Sequence, residues 1–238
     1  MPAYSEVLTQ SKNTSATYAI QYVKYQNVKN NFYLDIVSTP VREDQFTFVN
    51  PNYVLPSTYK PDDLVLLNVP LYHLSSLTES NYLRKEAADA TKQLFDAAKD
   101  EQGFQLMVRC GFQSYETQKT DYNKYKKSEG LTYADKVSIR PGHSEHQTGL
   151  AIDVTIPGEG STYSEDFGKS AESSWLAANA HRFGFIIRYP SEQSLEMGYT
   201  YEPWHLRYVG VEAATEIYEK NWVFEDYVLE YGLLDELN

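Results

Sequence analysis

Apolar residues recur at helical spacing most clearly in one segment. Leu83, Ala87, Ala90, Leu94 and Ala97 fall on one face, and Gly103 follows where a helix would stop. The run Phe104 to Cys110 is apolar enough to be a buried strand. Tyr115 to Lys127 has the composition of an exposed polar helix closed by Gly130. Leu150 to Val154 predicts a second strand, which places Asp153 near a strand end. Ser173 or Ser174 can cap a helix that carries Leu176, Ala180 and Phe183 and stops at Gly184. Phe185-Ile186-Ile187 is a third strand, followed by Pro190, and helices are expected from Val211 to about Asn221 and from Phe224 to Leu229. Helices and strands alternate without regular βαβ spacing, so the expected class is α+β: a small, mainly antiparallel sheet flanked by helices.

The first 49 residues differ from the rest. Tyr18, Ile20 and Tyr22 alternate with Ala19, Gln21 and Val23, and Phe46-Thr47-Phe48-Val49 follows later; both predict short strands. Four basic residues (Lys12, Lys24, Lys29, Arg42) balance four acidic ones (Glu6, Asp35, Glu43, Asp44) here. The acidic excess of the chain therefore lies beyond residue 49. The expected organisation is an N-terminal appendage at 1–49 and one larger domain at 50–238, joined by the turn-rich stretch from Asn50-Pro51 to Asp62.

Composition narrows the partners. With 42% hydrophobic and 14% aromatic residues, the chain can fill a sizeable core. A net charge of -12, from 21 basic and 33 acidic residues, argues against nucleic acid or an anionic membrane as the main partner. Cys110 is the single cysteine, which excludes an intrachain disulfide and a thiolate zinc cluster; its apolar setting suggests a small buried hydrophobe. No apolar run approaches the ~20 residues that span a bilayer, so membrane association would need an N-terminal anchor not contained in this sequence.

The candidate chemistry lies in two segments: Ser144 to Asp153, and Glu202-Pro203-Trp204-His205. His146, Asp153 and His205 are three nitrogen and oxygen ligands, the set that leaves a catalytic zinc one open position. His146 and Asp153 are seven residues apart, which is wrong for one helical face but suits a turn entering a strand, and Gly149 permits that turn. Glu202 precedes His205 by three residues. A carboxylate so close to the metal can act as general base, taking the proton of an attacking water and passing it to the leaving amine. The segment Pro203-Trp204 is expected to form a rigid, partly buried turn.

These residues carry a family resemblance. Ser-x-His-x-x-Gly-x-Ala-x-Asp at 144–153 with the later Glu-x-x-His at 202–205 resembles the LAS metallopeptidases. Pro141 to Asp153, Phe183 to Pro190 and Glu202 to Gly210 are similar to the VanY and LdcB branch, which includes D-alanyl-D-alanine carboxypeptidases. The similarity spans roughly residues 50–238. It implies a zinc site on the sheet, with His146, Asp153 and His205 as Zn2+ ligands and Glu202 as catalytic base. By the same resemblance Ser144 supports the metal loop and His143 lies at the pocket rim. The implied activity is removal of C-terminal D-alanine from peptidoglycan stem peptides, by a D,D- or an L,D-carboxypeptidase working outside the cytoplasmic membrane.

One block departs from the pattern. Where the family has an arginine, Phe112-Gln113-Ser114-Tyr115-Glu116-Thr117-Gln118 has Gln113, which can donate a hydrogen bond but brings no charge. Gln113, Ser114, Tyr115 and Gln118 are the expected substrate contacts, and Arg140 or Arg188 could supply the missing charge. The departure motivates one alternative, a weakly active or non-catalytic cell-wall-binding module with its zinc site retained; within the enzyme class an endolysin-like endopeptidase is another.

Overall fold

The computed structural model describes residues 33, 36–72, 77–158, 165–191 and 200–234. The predicted strand around Tyr18 to Tyr22 lies outside them. Two short pairs come first: β1 (Val37–Ser38) runs parallel to β2 (Tyr53–Val54), and β3 (Leu64–Leu66) is antiparallel to β4 (Tyr82–Arg84). The long helix α1 (Lys85–Gln102) follows at once and ends where Gly103 adopts φ 76. Its stripe of Ala87, Leu94 and Ala98 is completely buried, as the apolar spacing requires. The elements β5 (Met107–Cys110), α2 (Tyr115–Glu129) and α3 (Leu131–Val137) come next. Gly130 ends α2 but also opens α3, a helix that reading glycine purely as a stop had missed.

The principal sheet is formed by β5, β6 (Ala151–Thr155), β7 (Phe185–Tyr189) and β8 (Glu202–Tyr208), in the spatial order β5-β6-β8-β7. All three pairings are antiparallel. Before β7 comes α4 (Ala171–Asn179), continued by a 3-10 turn at Ala180–Phe183. The cap of α4 is Ser170, whose hydroxyl accepts from the Ser173 amide, rather than Ser173 or Ser174. Two helices close the chain, α5 (Val211–Glu219) and α6 (Phe224–Glu230). The class is the expected α+β.

Strand β8 replaces the turn expected around Pro203-Trp204. Proline removes a ladder donor, and it is tolerated here for two reasons. Pairing to β6 begins only at Asp153 opposite His205, and pairing to β7 is irregular between Ile187 and Tyr189, so neither neighbour calls on the missing N–H.

Period-two alternation, shifted in β5 by a bulge between Val108 and Cys110, separates the two faces of this sheet. Val108, Ile152, Val154, Leu206 and Phe185 face a core shared with α1 and with Trp175 and Leu176 of α4. Cys110, Asp153 and His205 lie side by side in register on neighbouring strands, with Arg207 two residues beyond His205. A second apolar cluster joins Ile186 and Val209 to Ala213, Ala214 and Ile217 of α5 and to Phe224 and Val228 of α6.

Phe48 belongs to that second cluster, and Thr47 and Val49 are fully buried. Gln45 to Val49 thus pack into the body of the domain. They form no strand: Thr47, Phe48 and Val49 have no regular secondary structure. The backbone carbonyls of Gln45 and Thr47 are instead engaged by the Arg207 guanidinium, at 2.9 and 2.8 Å.

Candidate active site

The 3-10 turn Glu145–Thr148 delivers His146 to the sheet face that carries Asp153. Ser144 caps this turn by accepting from the His146 amide at 3.4 Å. Gly149 then takes φ 67, where a side chain would be strained and its Cβ would lie 3.0 Å from Leu64 and 3.1 Å from Arg84. The chain can turn directly from ligand loop into β6 only because that position has no side chain.

Three potential ligand groups meet there. His146 Nε2 lies 3.3 Å from Asp153 Oδ2, and His205 Nδ1 lies 3.0 Å from Asp153 Oδ1. The two rings stand at 89° with centroids 5.0 Å apart. Ligand atoms about 2.0–2.1 Å from a tetrahedral zinc are separated by about 3.3 Å, so the donor set fits the ion in chemistry and each histidine fits it in its spacing to one oxygen of Asp153. Each ring also has a second partner. His146 Nδ1 donates to the Gly111 carbonyl at 2.7 Å, which leaves Nε2 as the lone-pair nitrogen. Gly111 can approach this closely because a Cβ would stand 2.6 Å from the Tyr82 carbonyl oxygen.

The neighbours of both rings favour their protonated forms. Burial alone would strip both rings, but Cys110 and Asp153 outweigh it at His146, and the bonds to Asp153 and Glu145 outweigh it at His205; both are raised. Burial would likewise raise Asp153, yet the two histidines hold it well below the usual carboxylate range. Glu202 behaves differently. Burial pushes it up to about 7, only partly opposed by His205.

An open cleft of about 600 Å³ exposes this cluster. Gln113, Gln118, His143, Ser144, His146, Asp153, Glu202 and His205 all line it, together with Asp121, Asp135, Tyr189 and Trp204. Ser114, Tyr115 and Arg140 are not among its described lining residues. Ser114 is occupied as the cap of α2, accepting from the Thr117 amide, and it donates to Glu79 at 3.0 Å. Tyr115 packs beside Gly142. Arg140 is held by both carboxylate oxygens of Asp135 at 2.8 Å and stacks over Tyr33. Gln118 reaches the cleft but spends its amide on structure, donating to the Gln113 carbonyl and accepting from the Gly142 amide, each at 2.9 Å.

Arg188 does not supply the missing charge to the cleft. It is fully buried and paired with Glu145 and Glu225. Among the described lining residues the cleft therefore has no arginine or lysine, and Gln113 donates to Asp121 at 3.1 Å.

Two further residues were not apparent as site components. Cys110 is buried as expected, but it stands opposite Asp153, and its sulfur and the ligand atoms of His146 and Asp153 all lie within 4.8 Å of one another. A lone cysteine in an apolar run gave no signal of this. Glu145 was hidden between Ser144 and His146; an acidic residue inside a ligand loop was the available clue. Elsewhere, a smaller cavity of about 260 Å³ lies beside α5 and includes Trp222 and His181 but none of the predicted site residues.

Helices on a small antiparallel sheet, with a His-Asp-His cluster and a half-buried glutamate along one cleft, define the class as metallopeptidase. The chain belongs to the VanY family: the family described as D-alanyl-D-alanine carboxypeptidase matches residues 80–211. YodJ of Bacillus subtilis (strain 168) is 38% identical over 217 residues, covering 91% of this chain and 78% of that protein. The solved LdcB LD-carboxypeptidase superposes with a TM-score of 0.73 at 38% identity, over 83% of this chain and 97% of LdcB. A mutant of the D,D-pentapeptidase VanY from a VanB-type resistance cassette, solved in complex with Zn(II), gives 0.58 at 32% identity, over 77% and 98% respectively.

Proposed function

We propose that this protein is a zinc-dependent carboxypeptidase that removes C-terminal D-alanine from peptidoglycan stem peptides. The observation that carries the reading is that His146 and His205 each lie within 3.3 Å of Asp153 in the cleft that also holds Glu202. The relatives' names, LD-carboxypeptidase and D,D-pentapeptidase, support the substrate class. Such a substrate places the working protein outside the cytoplasmic membrane, associated with the wall. Among the described residues no helix is long and apolar enough to cross a membrane.

In this mechanism His146, Asp153 and His205 hold the ion, which when bound supplies Lewis acidity toward the scissile carbonyl and the attacking water. Glu202 removes the proton from that water. Burial raises the proton affinity of this carboxyl and the positive charge of a bound ion would oppose that rise, a balance suited to a group that takes and returns a proton. The same carboxyl then returns the proton to the departing amine of D-alanine. Tyr189 and Trp204 wall the cleft, and the Gln113 amide, turned from Asp121, is the group placed to donate to the peptide's terminal carboxylate.

One observation favours a second reading, a wall-binding module with little turnover: no arginine or lysine is found among the described cleft-lining residues. Digestion of defined tetrapeptide and pentapeptide stems, followed by mass measurement, decides between them and separates L,D from D,D specificity. Loss of one D-alanine from either stem supports the carboxypeptidase. Release from neither, with muropeptide binding intact, supports the module, and internal cleavage supports an endopeptidase.

A further inference from the structure

Glu145 has no place in the mechanism above, yet it is among the most constrained side chains in the molecule. It is 2% exposed, and so is shielded from substrate. Its Oε1 accepts from Arg188 Nε at 2.9 Å and Arg207 Nη1 at 3.0 Å, while its Oε2 faces His205 Nε2 at 3.2 Å. Arg188 is clamped in turn by Glu225 through bonds of 2.7 and 2.5 Å, and Arg207 is tied to the carbonyls of Gln45 and Thr47. Two buried arginines thus face two buried carboxylates, and one oxygen of Glu145 is left over for the imidazole.

We infer that Glu145 is a positioning residue for the metal centre, accepting the Nε2 proton of His205 so that the Nδ1 lone pair faces Asp153 and the ion. The inference rests on the reading of His205 as a ligand. Geometry supplies the argument. His205 has two ring nitrogens, and a neutral imidazole can present only one lone pair. An acceptor fixed at Nε2 makes Nδ1 the ligating atom, and an anionic acceptor also increases the electron density that Nδ1 offers. The arginines favour an anion at that acceptor: Arg188 and Arg207 both donate to Oε1, placing two guanidinium charges beside the carboxyl. A purely structural ion cluster would need no vacant oxygen directed at the ring.

The test compares wild type, Glu145→Gln and Glu225→Gln by zinc affinity in chelator competition, stability in urea, and the His205 imidazole N–H signal by NMR. Glu145→Gln is expected to bind zinc about 10–100-fold more weakly and to lose protection of the His205 Nε2 proton. Glu225→Gln also destabilises the cluster but leaves Glu145 on His205, so its zinc affinity should change less than about threefold. Equal zinc affinity in wild type and Glu145→Gln overturns the inference, as does an equal loss in both variants, which would mark the role as structural only. Wild type that binds no zinc overturns the ligand reading itself, and this proposal with it. Should Glu145→Gln not fold, the His205 ring of zinc-loaded wild type decides: a proton on Nε2 supports the assignment, and a proton on Nδ1 with Nε2 bare refutes it.

Discussion

Replacing Glu202 with glutamine should make the metal-free protein more stable while abolishing its activity, and the gain should appear only at higher pH. Burial raises this carboxyl from 4.5 to about 7. Below pH 4.5 it is protonated in both folded and unfolded chains and carries no penalty. As pH rises the unfolded chain ionises first, and stability declines until the folded carboxyl has ionised too, above about 7. The full penalty is then about 3 kcal/mol. Glutamine avoids ionisation but buries an amide, so the net gain at pH 8 should be about 1–3 kcal/mol. For a domain of this size that corresponds to about 3–10 °C in Tm. Thermal melts of EDTA-treated wild type and Glu202→Gln at pH 5 and pH 8 measure it. A difference that is the same at both pH values would refute the argument, because ionisation of a buried carboxyl must produce pH dependence. With zinc restored, the variant's turnover should fall about 10²–10⁴-fold, the usual contribution of a general base.

Three further outcomes follow from other parts of the structure. Zinc affinity should weaken as pH falls toward 5, because His146 and His205 both hold protons in the metal-free site and must release them on binding; chelator competition across pH checks this, and a flat profile would contradict it. Glu225→Ala leaves Arg188 buried with one carboxylate where it had two, and should cost about 3–5 kcal/mol in urea unfolding; a loss below about 1 kcal/mol would show that the cluster relaxes or hydrates. Gln113→Arg brings a guanidinium into a cleft whose described lining has no arginine or lysine, and a charge-assisted bond to the peptide's terminal carboxylate should raise kcat/KM about tenfold; no gain would mean that Asp121 captures the new guanidinium or that the charge is met elsewhere.

What could be read from the sequence depended on how local the determining physics was. Helix α1 was legible because its apolar stripe and Gly103 act within one segment, and β6 because Leu150 to Val154 is apolar and short. Strand β8 was not. Glu202, Pro203, His205 and Arg207 look like a polar turn, and become a strand only because the neighbouring strands tolerate the proline and bury both faces. The metal-ligand candidates could be named because their residue types and order are distinctive. The charge balance could not: whether an arginine reaches the cleft depends on partners remote in sequence. Glu225 captures Arg188 from 37 residues away. The same holds for Gln45 to Val49, whose neutral composition suggested an appendage although Arg207 ties them to the site's supporting cluster from 160 residues away.

The central claim is that the cleft is a hydrolytic zinc centre whose base is Glu202. It is tested most directly by one paired measurement on wild type and Glu202→Gln: zinc content, and the masses of products from tetrapeptide and pentapeptide stems. Wild type should hold one zinc per chain and shorten one stem by a single D-alanine, while Glu202→Gln should hold the same zinc and leave both stems intact. Equal activity in the two proteins, or D-alanine release by wild type stripped of zinc, would contradict the account.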